Sequence, residues 1–386
     1  MKKENKPDAR QLTPNPSSGT PLPETIRTAL ISHREELKRI SIGAKILADD
    51  APVFIVAEAA CNHMCDLELA KQMIDRAAEA GADAIKFQTY TAERLVTKDA
   101  VAFWGEDQIS QIEYYKLLDR FGQKEYEILF RHAEESGIIA FSSAFDAENV
   151  EMLNDLDMPV FKIASCDIPD IRNLRHIAGL GKPIMLSTGA SSIKEIDTAI
   201  ETIFAQGNFQ LMLLACTLSY PTRNEAANFM RIRTLKARYP GMIIGISDHT
   251  EPDPHMVIPS VAVSLGARIV EKHYTLDRSM TGSGHFFAVS PDDLKKMVQN
   301  IRLAEKVIGD GKLGVAGAEI KAWESARRSI VAEVPIKRGE KITSAMIGMK
   351  RPSDGLPASM IDMVVGKIAK QDIESDQRIT MEMISE

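Results

Sequence analysis

Short apolar runs alternate with longer amphipathic segments from Pro52 onward, the pattern of repeated strand and helix units around a parallel sheet. The runs are VFIVAEAA at 53, DAIKFQT at 83, IIAFSSAF at 138, VFKIASC at 160, PIMLSTG at 183, LMLLACT at 211, MIIGISDH at 242 and ARIVEKHYT at 267, eight candidate strands in all. Between the first two, Leu69, Ala70, Met73, Ile74, Ala77 and Ala78 recur with a helical period. The last helix is marked at both ends: Ser290 can cap, Pro291 suits the first turn, Asp292 and Asp293 favour the positive helix end, and Gly309 can terminate it. Its stripe is Leu294, Met297, Val298 and Ile301. Eight such units over roughly 250 residues predict an α/β fold of the (β/α)₈ TIM-barrel type, with the active site at the C-terminal ends of the strands. A doubly wound open sheet is the structural rival, but no GxGxxG follows the first strand.

The pattern stops at Gly309. We place the barrel at residues 26–308, a Gly- and Ala-rich linker at 309–326 (GDGKLGVAGAEIKAWESA) and a second small domain at 327–386. A domain of that size has a meagre core and is expected to lean on a barrel, its own or a partner's. Residues 1–25 hold Pro, Ser, Asn and Lys with almost nothing apolar and are expected to be a disordered tail.

Composition narrows the function. Of 386 residues, 44% are hydrophobic and 26% charged, an ordinary globular balance, and the net charge of −7 without a basic block disfavours nucleic-acid binding. Cys61, Cys65, Cys166 and Cys216 are too few and scattered for a disulfide framework, and no second Cys or His pair stands at zinc-ribbon spacing. No apolar run approaches the roughly 20 residues that span a bilayer, and the start of the chain has no signal-like apolar region. The expectation is a cytoplasmic protein with no membrane partner.

Chemistry gathers at the strand ends. Side chains two apart on a strand face the same way, which pairs Lys86 with Gln88, Ser247 with His249, and Glu271 with His273. Glu58, Ser143, Lys162, Ser165, Ser187 and Thr188 add polar groups at most of the other ends. A packed core would not hold lysines, glutamates and histidines inside apolar runs, because burying an unpaired charge is costly. His249 and His273, at matching positions on adjacent strands and near Glu271, can bind a divalent metal through their imidazoles and leave the site open to substrate and water. Lys86 and Lys162 with the hydroxyls of Ser143, Ser165, Ser187 and Thr188 make an anion site for phosphate or carboxylate. Either lysine can alternatively form a Schiff base. Ser191 and Ser192 read as helix caps.

These motifs resemble the sialic acid synthase family, the N-acetylneuraminate synthases and their relatives, over residues 52 to 386. The matching strings are VAEAACNH, GADAIKFQT, FKIAS, GKPIMLSTG, ACTLSYPT, GISDHT and GARIVEKHYTLD, followed by RRSIVA and KRPSDG. The resemblance implies a barrel followed by a small SAF (antifreeze-like) domain. It also implies a transferase that condenses phosphoenolpyruvate with an N-acylated mannosamine or related amino sugar, giving a nine-carbon 2-keto acid and phosphate. Carried over by position, it makes His249 and His273 ligands of a Mn- or Mg-type metal. Lys86, Ser143, Lys162, Ser165, Ser187 and Ser247 would hold phosphoenolpyruvate, and Gln88 and Tyr220 would face the sugar; on mechanistic grounds Glu58 and Glu271 are the candidates for proton handling and for orienting metal-bound water. It further implies a domain-swapped homodimer in which Arg351 reaches the partner's sugar site.

Two departures concern the acceptor. The CTNxYP-like motif carries Leu218 where Asn is frequent, and a PGPD-like string is replaced by Thr281-Gly282-Ser283-Gly284, followed by His285. Lost polar contacts point to a deoxy or more heavily acylated sugar, as in legionaminate or pseudaminate synthesis. Met64 and Cys65 replace the usual Asn-Gly after Asn62-His63. The rivals are another phosphoenolpyruvate-condensing barrel of the aldose-phosphate synthase kind, a catalytically inactive sugar-binding scaffold, and an ice-binding tail domain suggested only by the name SAF.

Overall fold

The computed structural model describes residues 20–102, 104 and 109–385. Contacts divide the chain after Gly309 into two compact units. In the first, a two-stranded hairpin, β1 (Ile40–Ile42) and β2 (Lys45–Leu47), precedes a closed barrel of eight parallel strands. These are β3 (Phe54–Ala60), β4 (Ala84–Thr89), β5 (Ile139–Ala144), β6 (Phe161–Ile163), β7 (Ile184–Ser187), β8 (Leu211–Cys216), β9 (Ile243–Asp248) and β10 (Ile269–His273), with β10 closing on β3. Helices lie between successive strands. The runs read as strands from the sequence are these eight.

Apart from polar residues toward their C-terminal ends, the strands are apolar because both faces are covered, the inner by the barrel and the outer by helices. Every residue of β3 and of β8 is buried. At one point a side chain has no room: a Cβ on Gly245 of β9 would lie 2.5 Å from Ile269 Cβ and 2.6 Å from Leu214 Cδ2. The helix Leu67–Ala80 starts where Asp66 accepts hydrogen bonds from the amides of Glu68 and Leu69, ends at Gly81 (φ +88°), and buries Ala70, Met73, Ile74 and Ala77. The helix Pro291–Ile308 is capped by Ser290, which accepts from the Asp293 amide, and it buries Leu294, Met297, Val298 and Ile301. Each such cap contributes about 1 kcal/mol.

Opposite the strands' C-terminal rim, the hairpin turn at Gly43 lies against Ile139 at the start of β5, and Lys45 reaches Asp83, just before β4, at 2.7 Å. Asp83 also accepts from the Ile55 amide and from Arg302 of the last helix, at 3.0 Å each. This end of the barrel is therefore closed and the other is free for a site.

One boundary needs correction. Residues 1–19 of the expected tail lie outside the described residues, but Glu24 and Thr25 belong to a helix, Glu24–Ser32. Ile26, Ala29 and Leu30 give it a buried face, and Glu24 sits in its first turn, which the polar residues before it obscured. Within the 309–326 linker lie a 3₁₀ turn, Gly317–Glu319, and a short helix, Ile320–Ser325. Good helix formers outweigh its glycines there, and the Arg327 guanidinium stacks 3.7 Å over the Trp323 ring.

The second unit pairs β11 (Ser329–Ala332) antiparallel with β12 (Ile347–Lys350). Its core is small and aliphatic, built on Ile330, Ile336, Ile342, Val364, Ile373 and Ile379.

Candidate active site

Parallel strands place all their C-terminal ends on one rim, and there a cavity of about 550 Å³ opens. That volume accommodates a small-molecule pair rather than a single ion. Its charged floor comes from strands spread around the barrel: Glu58 (β3), Lys86 (β4), Ser143 (β5), Lys162 (β6), Ser187 (β7) and Glu271 (β10). Ser165, Ser247, Gln88, Tyr220, His249 and His273 line it as well. The structure thus brings every barrel residue expected to meet phosphoenolpyruvate, sugar, metal or proton into one cavity; Thr188 is not in its lining, and its hydroxyl donates to the Leu214 carbonyl. Ser192 caps the helix Ile193–Phe204, and Ser191 donates to the Gly189 carbonyl. Arg351 is exposed just after β12 in the second unit.

The floor is an ion network shielded from water. Lys86 Nζ lies 2.7 Å from Glu58 Oε2 and 3.7 Å from Glu271 Oε2, and donates to Ser143 Oγ at 3.3 Å. Burial pulls its pKa down, but Glu271 and Glu58 more than offset this and hold the ammonium above its usual range. Lys162 Nζ lies 3.7 Å from Glu271 Oε1 and is shifted down by burial, against the pull of Glu271. The two carboxyls behave differently. Glu271, between both lysines and accepting from Ser247 Oγ at 2.7 Å, is held below the ordinary range despite burial. Glu58 is pushed up to about 7 by burial, which outweighs Lys86. Gln88 donates its amide to Glu58 Oε1 at 3.0 Å, so it is tied to that carboxyl as well as facing the cavity.

The two histidine rings stand 5.2 Å apart between centroids. Burial lowers His249 to about 4 and His273 well below its usual value, so both are neutral near pH 7, the form that ligates metal. His273 Nδ1 is buried with no hydrogen-bond partner, and His249 Nδ1 has only Cys216 Sγ, 3.7 Å away. Among the described residues no three His, Cys, Asp or Glu side chains converge as a metal cluster. The donor set fits an ion held by two imidazoles with its other positions filled by substrate and water; imidazole suits Mn more than Mg.

Sequence reasoning missed the cavity's wall. Tyr90, Tyr114, Tyr115 and Phe145 form an aromatic side; Leu218, singled out from the sequence, lies in the same lining. Phe287 packs 4.8 Å from the His273 ring and 5.8 Å from Tyr220. It can do so because residue 284 is glycine: a Cβ there would meet the Phe287 ring at 2.8 Å. Asp167 was also missed; burial pushes its carboxyl up to about 7 against the pull of Lys162. Tyr90, Tyr114 and Tyr115 lie outside the apolar runs, in the segment after β4, and Phe145 closes the run at 138, where it reads as ordinary core.

Comparison with known proteins gives a model of the NeuB family matching residues 73–313 and a model of the SAF domain matching residues 327–385. An uncharacterized protein of Methanocaldococcus jannaschii is 37% identical, over 89% of this chain and 98% of its own. N,N'-diacetyllegionaminic acid synthase of Campylobacter jejuni is 35% identical, over 84% of this chain and 98% of its own. The crystal structure of the N-acetylneuraminic acid (sialic acid) synthetase of Leptospira borgpetersenii superposes with a TM-score of 0.67 at 36% identity, covering 74% of this chain and 95% of that one.

Proposed function

The chain belongs to the NeuB family and carries a SAF domain, and from that premise we propose that it condenses phosphoenolpyruvate with an N-acylated amino-sugar aldehyde to a nonulosonic 2-keto acid, releasing phosphate. The observation that carries this reading is the floor: two buried ammonium groups ringed by serine hydroxyls, beside a pair of neutral histidines, at the active rim of the barrel.

Lys86 and Lys162 take the phosphate and carboxylate charges, and the hydroxyls of Ser143, Ser165 and Ser187 supply directed donors, while Ser247, whose proton goes to Glu271, lines the same site. Ser187 Oγ is buried without a hydrogen-bond partner, a donor waiting for an acceptor. A divalent cation held by His249 and His273 would supply Lewis-acid polarisation of the acceptor's carbonyl. C3 of phosphoenolpyruvate bonds to the aldehyde carbon, whose oxygen takes up a proton to become a hydroxyl; water adds at C2, and phosphate departs by carbon–oxygen cleavage, carrying off the remaining proton of that water as C2 becomes a ketone. Glu58, poised near neutrality, accepts the proton that the adding water gives up. Glu271 stays ionised and holds both lysines and Ser247 in place.

The wall favours one class of acceptor. Leu218 and Phe287 present apolar surface where a polyhydroxylated sugar would need hydrogen-bond partners, which supports a diacetamido, deoxy hexose over N-acetylmannosamine. We also place Arg351 at the acceptor site of a second copy in a domain-swapped homodimer, as the resemblance implies. A cytoplasmic setting fits a phosphoenolpyruvate substrate, and among the described residues no helix is long and apolar enough to cross a membrane.

The test is phosphate release from phosphoenolpyruvate with Mn, against N-acetylmannosamine, its 6-phosphate and diacetamido-hexoses, with chelated controls. Metal-dependent turnover, fastest with a diacetamido-hexose, is expected. Failure to bind either phosphoenolpyruvate or metal would turn the reading to an inactive scaffold.

A further inference from the structure

On the face of β9 and β10 turned away from the cavity lies a buried ion pair that the reaction above leaves unused. Lys272 and Asp248 are at most 2% exposed, and each directly adjoins one of the paired histidines. Lys272 Nζ donates to Asp248 Oδ2 at 2.8 Å, to the Thr250 carbonyl at 2.7 Å and to Thr250 Oγ1 at 3.1 Å, which uses all three of its protons. Asp248 Oδ1 in turn accepts from the Thr250 amide at 2.9 Å. One side chain of β10 therefore grips both residues flanking His249, from the position just before His273.

Two features argue that this grip serves more than closure of the barrel. The positions preceding it on the same strand faces are Ile244, Ile246 and Val270, all buried and apolar, so packing alone does not call for ions there. A buried ion pair generally adds little over well-packed apolar residues. The histidines, moreover, have weak side-chain support: a thiol at 3.7 Å for one Nδ1 and no hydrogen bond for the other. The β9–β10 ladder ends at the Asp248 and Lys272 pair, so the relative position of the two rings depends on what fixes the backbone just beyond it.

We propose that Lys272 and Asp248 are positioning residues, a clamp across the ends of β9 and β10 that sets His249 and His273 at the separation a shared divalent cation requires. The inference rests on the proposed metal role of the two histidines.

The experiment titrates free Mn(II) into the full-length, metal-stripped protein by electron paramagnetic resonance. Phosphoenolpyruvate affinity without metal is measured by calorimetry, and folding by circular dichroism. The double variant Lys272→Met, Asp248→Asn removes the pair without stranding a charge. It is expected to fold, to bind phosphoenolpyruvate within about twofold of wild type, and to bind Mn about 10–100-fold more weakly, the range for residues supporting a metal's ligands. Unchanged Mn affinity in the folded variant overturns the clamp. So does a parallel loss of Mn binding, phosphoenolpyruvate binding and melting temperature, which marks a purely structural pair. If the double variant does not fold, Lys272→Arg keeps both charges but alters the reach, and unchanged Mn affinity there overturns the proposal equally. Wild type and His273→Ala are run alongside: equal Mn binding by those two rejects the metal role itself, a result distinct from failure of the clamp.

Discussion

Glu58 illustrates how little a nearby ammonium guarantees. Its carboxyl lies 2.7 Å from Lys86, yet burial holds it up to about 7. Below that value it is neutral and has no capacity to accept a proton; above it, it is an ionised base. Activity with saturating acceptor is therefore expected to rise with pH through an apparent value near 7, and Glu58→Gln to remove that limb and lower kcat by about 10²–10⁴-fold. Initial rates from pH 5.5 to 8.5 check this; a limb that survives the substitution would move the role to Asp167, also pushed up to about 7. The cavity-facing residues were legible as period-two pairs because an inward charge at a strand end breaks an apolar run. Lys272 and Asp248 break the same runs and were passed over. A single sequence shows that a charge is present, but the partner that neutralises it stands on another strand, 24 positions away.

At the scale of elements, the eight barrel strands were readable because each is an apolar run between amphipathic helices. The hairpin was not: β1 and β2 have three residues each, too short for any period, and the turn at Gly43 (φ +54°), the burial of Ile40, Ile42 and Leu47 and the Lys45–Asp83 pair fix them. The same strand packing that makes the barrel legible makes it intolerant of added volume at Gly245. Gly245→Ala is expected to destabilise the first unit by about 1–3 kcal/mol, because Ile269 and Leu214 must shift to admit a methyl group. Urea unfolding followed by circular dichroism checks it, and an unchanged midpoint would mean the β8–β9–β10 seam yields freely.

For the whole molecule, the second unit shows how far a small core goes. Its buried side chains are almost all isoleucine and other aliphatics, with short bridges in place of long strands. A resemblance, rather than any periodicity, led to its reading as a SAF domain, because segments this short carry no reliable pattern. If two copies exchange these units as proposed, light scattering gives twice the chain mass, and Arg351→Ala raises the acceptor KM while leaving that for phosphoenolpyruvate unchanged. A monomer with full activity would remove the basis for Arg351 acting in trans. The division of labour within the barrel has a consequence for descent. The ionic floor is drawn from strand termini locked into a closed ring, whereas Leu218 and Phe287 stand on the connections beyond them. If floor and wall hold donor and acceptor as proposed, a wall residue can be exchanged without disturbing the ion network beneath it, so acceptor preference can change while the donor site is kept.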